Sequence, residues 1–193
     1  ARVDHWCTQK TDITMSDFAI LTFSRSLKED IQNKCVGSLE SMRGNVFTID
    51  GWCKRFLSVA KTNGELVYEF SYSGNYSFDM AKSLDKNSFE SVVEHLPKYI
   101  IIDECQDVDI HQFQIIKWLL HHVKMTLVGD PIQNIYSFRG ASSKYFTELS
   151  KQVETQMTLS RNFRSTPVIT NISNLLRSMS PVVNNQSQTP ELC

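Results

Sequence analysis

Four carboxylates, Asp103, Glu104, Asp107 and Asp109, stand directly behind three isoleucines, Ile100 to Ile102, in the stretch "IIIDECQDVD". An apolar run of that kind reads as a strand buried on both faces, and ligand chemistry in parallel α/β sheets gathers where such strands end. An Asp-Glu pair at that point suits nucleotide hydrolysis, the Asp holding Mg²⁺ and the Glu polarising the attacking water. A plainer reading is a helix start decorated with acids, which stabilise the positive end of the helix dipole and would account for Asp107 and Asp109. Two later stretches carry further polar and aromatic groups. "LVGDPIQNIYSFRGA" places Asp130, Gln133, Tyr136, Phe138 and Arg139 within one turn-rich segment, and "LSRNFRST" adds Arg161, Phe163 and Arg164.

The elements that must position these groups alternate along the chain. "FAILTF" predicts a strand, and the helix after it has Ser26 and Glu29 at capping-box spacing with Leu27, Ile31 and Cys35 on one face. "NVFTI" predicts a strand before the helix-like "GWCKRFLSVA", and "YIIID" one before a helix capped near Asp109 with Phe113, Ile116, Leu119 and Leu120 inward. "VKMTLVG" precedes the helical "SSKYFTELS", "VETQMTLS" reads as a further strand, and Thr166 followed by Pro167 marks the start of a last helix. Apolar strands separated by helices predict a parallel sheet covered on both faces. Residues 61–97, rich in Tyr, Ser and Asn, break the rhythm and read as an inserted lobe.

Composition bounds the partners. The chain has 193 residues, 41% of them hydrophobic, with a formal net charge of −1, so nucleic acid would have to be held by a local groove rather than by bulk charge. Five scattered cysteines (Cys7, Cys35, Cys53, Cys105 and Cys193) have no C-x-x-C spacing, which argues against a zinc site or disulfide framework and for a reducing compartment. There is neither an apolar run of membrane-spanning length nor a signal-peptide pattern, and an intracellular protein (cytoplasm or nucleus) without membrane partners is expected.

Taken together, the motifs resemble those of the UvrD/Rep/PcrA-like branch of superfamily 1 DNA helicases. "IIDECQD" resembles motif II, "VGDPIQNIYSFRGA" motif III and "LSRNFRST" motif IV, while "AILTFSRSLKEDI" and "VFTIDGWCKRFL" resemble motifs Ia and Ib. The resemblance implies an α/β fold with a RecA-like, P-loop NTPase-type parallel sheet and flanking helices, incomplete at both ends. It places a first RecA-like domain at residues 1–150, with 61–97 as a reduced accessory insertion, and the start of a second at 151–193. It implies ATP and Mg²⁺ as cofactors and 3′ to 5′ movement on single-stranded DNA.

Carried over by position, the resemblance gives Asp103 the magnesium and Glu104 the attacking water. Gln133 would sense the γ-phosphate, Arg164 would act as an arginine finger, Phe163 would stack on adenine where the family usually has Tyr, and Arg139 would bridge motif II and the nucleotide. Phe23, Tyr136 and Phe138 would form a platform on which unpaired bases stack. Gln106 and Asp107 belong to the motif and either orient neighbours or cap the helix.

The departures are specific. Motif I, a glycine-rich loop ending in Gly-Lys, should lie just before motif Ia, yet the sequence contains no Gly-Lys pair. Motifs V and VI are also absent, and Ile49 and Asp50 stand in motif Ib where the family has aromatic and histidine residues. The opening "ARVDHWC" reads as the helix after the missing loop. These features imply a fragment of a longer helicase, inactive alone, whose parent chain supplies the P-loop and the rest of the second domain. A degenerate, non-catalytic module that binds single-stranded nucleic acid is the alternative. A hydrolase using Asp103, Glu104 and Asp107 directly on metal is a third reading, one that leaves Gln133 and the arginines without a task.

Overall fold

The computed structural model describes residues 14–66, 73–87, 89–159 and 162–179. Four parallel strands, β1 (Phe18–Thr22), β2 (Val46–Thr48), β3 (Tyr99–Ile102) and β4 (Lys124–Leu127), form one sheet in the order β2-β1-β3-β4. Side chains alternate across the sheet as the two-residue strand period requires. Ala19, Leu21, Ile100 and Ile102 join the larger core cluster, whereas Phe18, Ile20, Tyr99 and Ile101 join a smaller one with Ile31, Cys35, Met42 and Val46. Both faces of the central strands are thus covered, which is why β1 is apolar from Phe18 to Leu21 and β3 from Ile100 to Ile102.

Helix α1 (Arg25–Lys34) follows β1. Its N-cap is Ser24, in extended backbone, whose hydroxyl accepts from the Leu27 backbone N–H at 3.1 Å. The capping box expected at Ser26 is therefore corrected: Ser26 already lies inside the helix, and Ser24 has taken the cap. Helix α2 (Ile49–Thr62) is capped by Thr48 and buries Ile49, Trp52, Cys53, Phe56, Leu57 and Ala60, a stripe at three- and four-residue spacing. Gly51 has a local reason: a Cβ there would lie 2.9 Å from Thr48 Oγ1, the capping atom.

The described part of the 61–97 excursion packs onto the same core. Helix α3 (Tyr76–Leu84) contacts α2 and, later in the chain, α5 (Ile110–Leu119), burying Met80 and Ala81, and the short α4 (Glu90–Val93) adds Val92. Helix α5 starts at Asp109 in a full capping box with Gln112, as expected, and buries Phe113, Ile115, Ile116 and Leu119.

Helix α6 (Ser143–Ser150) packs against the segments Cys105–Asp107 and Pro131–Gln133, and helix α7 (Pro167–Ser178) begins after Thr166. The strand expected over "VETQMTLS" does not form: residues 153–159 have no ladder partner among the described residues, and a lone strand leaves its backbone groups to water. The opening "ARVDHWC" and Arg161 lie outside the described residues. Among the described residues no helix is long and apolar enough to cross a membrane.

Candidate nucleotide and nucleic-acid site

The strand order fixes where a ligand can enter. From β1 the chain crosses to β2 on one side, and from β3 it crosses to β4 on the other, so a crevice opens between the carboxyl ends of β1 and β3. The residues at that crevice are Phe23 and Ser24 after β1 and Asp103 and Glu104 after β3. The ladder runs slightly past the strands, with the Asp103 N–H donating to Leu21 O at 3.0 Å and the Cys105 N–H to Val128 O at 2.9 Å. The acidic turn is thereby pinned to both neighbouring strands.

Glu104 has left-handed backbone angles, φ 55° and ψ 40°. For a residue with a Cβ that conformation costs about 1–3 kcal/mol and persists where the surroundings over-determine it. The surroundings do so here. The Glu104 N–H donates to Asp103 Oδ1 at 3.0 Å, Glu104 O accepts from the Asp107 N–H at 3.0 Å, and Glu104 Oε2 accepts from Gln106 Nε2 at 2.7 Å. Gln106 is 1% exposed. Its Oε1 accepts from the Asp130 backbone N–H at 3.0 Å, and its carbonyl accepts from Asn134 Nδ2.

Burial pushes the Asp103 carboxyl above its ordinary range, opposed by the Glu104 N–H and reinforced by the Glu104 charge. Asp107, only 6% exposed, is raised by burial and by Glu104. Its Oδ1 has no hydrogen-bond partner among the described residues. Cys105 is fully buried, and burial pushes its thiol up to about 12. No group of three His, Cys, Asp or Glu side chains placed to hold a metal ion together occurs among the described residues.

The three aromatics expected to act together do meet. The Phe23 and Tyr136 ring centroids lie 5.0 Å apart and those of Tyr136 and Phe138 6.1 Å apart, with Phe138 76% exposed. A cleft of about 580 Å³ opens beside them, walled by Phe23, Arg25, Asp107, Asp109 and Tyr136.

Gln133 is one step removed from the carboxylates. Its Nε2 donates to Asp130 Oδ2 at 2.8 Å, and Asp130 is joined through its backbone to Gln106. Arg139 ends the turn Ser137–Arg139, and its side chain lies outside the described residues. Phe163, 87% exposed, and Arg164 sit in the loop before α7, where the Arg164 backbone N–H donates to Asn162 Oδ1 at 2.9 Å. Among the described residues Arg164 makes no ion pair with Asp103 or Glu104.

One participant was not singled out in the sequence, and for Gln106 only an orienting or capping role was expected. Arg177 on α7 pairs with Asp130 Oδ2, a contact across 47 positions that no local pattern announces. The hub position of Gln106 had a faint signal, since a polar residue two places after Glu104 on a buried turn needs partners.

The family model of the UvrD/REP helicase N-terminal domain matches residues 75–154. A protein of Acanthamoeba polyphaga mimivirus ascribed to the ATP-dependent DNA helicases is 32% identical over 184 residues, covering 91% of this chain and 25% of that protein. The RecB subunit of the RecBCD enzyme of Escherichia coli K12 is 41% identical over 81 residues, 40% of this chain and 7% of that one. The ATP-dependent DNA helicase Rep of Buchnera aphidicola subsp. Acyrthosiphon pisum is 30% identical over 181 residues, 81% of this chain and 27% of that one. The chain thus spans about a quarter or less of the length of these relatives. Residues 75–154 thus match the N-terminal domain of the UvrD/REP helicases, and over most of its length the chain is similar to UvrD-like superfamily 1 helicases.

Proposed function

We propose that these residues are part of an ATP- and Mg²⁺-dependent DNA helicase or translocase that moves 3′ to 5′ on single-stranded DNA. Residues 1–150 correspond to the first RecA-like domain, with 61–97 in the place of the accessory insertion, and 151–193 begin the second. The observation that carries this reading is the Asp103-Glu104 pair emerging at the switch crevice with Glu104 held by Gln106.

The residues present fit a magnesium ion bound mainly by phosphates and water. Mg²⁺ in nucleotide sites takes one or two carboxylates and draws its other ligands from substrate and solvent. Asp103 supplies one such carboxylate, whose burial disfavours an uncompensated charge and so favours a nearby cation. The ion, when bound, neutralises charge developing on the transferred phosphoryl group. Glu104, with Oε2 engaged by Gln106, offers Oε1 to orient a water and accept its proton. Gln133 reads the γ-phosphate from the loop after β4. Phe163 and Arg164 act on adenine and on transition-state charge when the two RecA-like domains close on ATP. Phe23, Tyr136 and Phe138 carry unpaired bases by stacking, which is indifferent to base identity.

The test is ATP hydrolysis by the gene product that contains these residues, measured across magnesium concentration with and without single-stranded DNA. Magnesium-dependent hydrolysis stimulated by the DNA is expected. Binding of single-stranded DNA without hydrolysis contradicts the motor and supports the non-catalytic alternative.

A further inference from the structure

We propose that Gln106 is a positioning residue that fixes the Glu104 carboxylate and ties it mechanically to the loop after β4. The inference rests on the reading of Glu104 as the group that activates water, and it adds how that group is held and what can move it.

The orientation of the Gln106 amide is dictated by its partners. The Asp130 backbone N–H can only donate, so the atom facing it at 3.0 Å is the amide oxygen, Oε1. Nε2 then faces Glu104 Oε2 at 2.7 Å, and an ionised carboxylate can only accept. Turning the amide over would set N–H against N–H and oxygen against oxygen. With the residue 1% exposed, water is not at hand to substitute for either partner. The backbone of Gln106 is also held, its carbonyl accepting from Asn134 Nδ2.

The far side of the amide belongs to a loop with its own connections. A Cβ on Gly129 would lie 2.8 Å from Gln106 Oε1, 3.2 Å from Gln106 N and 3.2 Å from Phe146 Cζ, so the loop backbone lies too close to the amide to admit a side chain. Asp130, next in sequence, accepts from Gln133 Nε2 and pairs with Arg177. A displacement of residues 129–134, whether driven from Gln133 or from α7, therefore reaches Glu104 through one rigid, buried amide. A side chain that merely filled the core would have no reason to join the acidic turn to this loop by a donor on one side and an acceptor on the other.

Gln106→Glu tests this in the full gene product. The variant keeps the side-chain length and the acceptor for the Asp130 N–H, but replaces the donor to Glu104 with a repelling oxygen. The kcat of DNA-stimulated ATP hydrolysis is expected to fall about tenfold to a hundredfold, the range for losing a hydrogen bond to a charged group. KM for ATP stays within about twofold. Glu104→Gln is assayed in parallel. If it retains turnover, the water-activating role itself fails and Gln106's role with it. If it is inactive while Gln106→Glu keeps the parental kcat, or raises KM alone, the positioning role is overturned and the reading of Glu104 stands. Should Gln106→Glu fail to fold, Gly129→Ala pushes on the same amide from the loop side, and the same fall in kcat at constant KM is required of it.

Discussion

The Phe23 ring at the end of β1 stacks at a tilt on the Tyr136 ring from the loop after β4, with centroids 5.0 Å apart. Tyr136 in turn meets Phe138, so an aromatic surface runs from the crevice to solvent. Truncating Tyr136 or Phe138 should act on DNA and spare the nucleotide. Each of Tyr136→Ala and Phe138→Ala is expected to weaken single-stranded DNA binding by about 1–3 kcal/mol, similarly for all base sequences. Fluorescence anisotropy with homopolymeric oligonucleotides checks this, alongside ATP affinity, which should be unchanged.

Asp107 makes stability depend on pH in an unusual direction. Its carboxyl is raised above the ordinary 3.8 by burial and by Glu104, so the folded state binds its proton more tightly than the unfolded state does. The penalty is absent below about 3.8, grows as pH rises through the folded value, and is complete above it. Asp107→Asn should accordingly raise the melting temperature at pH 7, with the gain shrinking on acidification and vanishing below about 3.8. Thermal melts of both forms from pH 7 downward check the sign.

Ile102 is fully buried in β3, immediately before Asp103. Ile102→Ala leaves a cavity beneath the site and is expected to cost about 2–5 kcal/mol of folding stability. Denaturant unfolding measures it directly.

The Arg177-Asp130 pair is a different case, because it is partly exposed, with 41% and 22% of the side chains accessible. Arg177→Ala should cost no more than about 1 kcal/mol, and less in high salt. A larger loss would mean that the pair supports more of the fold than its exposure suggests.

How far the sequence disclosed this arrangement depends on the range of the forces involved. The parallel strands and the helix starts at Asp109 and Thr166 were legible because periodicity and capping are local, and the same locality placed Asp103 and Glu104 at a strand end. The cap at Ser24 was misassigned to Ser26 because both serines precede the same apolar stripe, and only backbone conformation separates them. Residues 153–159 carry strand-like composition, but a strand exists only through its neighbour, which sequence periodicity does not supply. The meeting of Phe23 with Tyr136 followed from the family resemblance rather than from spacing. The Gln106 bridge and the Arg177 pair depend on tertiary contacts across 24 and 47 positions, beyond any local pattern.

The most direct measurement is single-turnover ATP hydrolysis by the Glu104→Gln variant of the full gene product, with nucleotide affinity determined on the same sample. ATP is expected still to bind with Mg²⁺ and single-stranded DNA while hydrolysis falls to background. Hydrolysis at the parental rate would contradict it and leave the carboxylate at the crevice without its assigned chemistry.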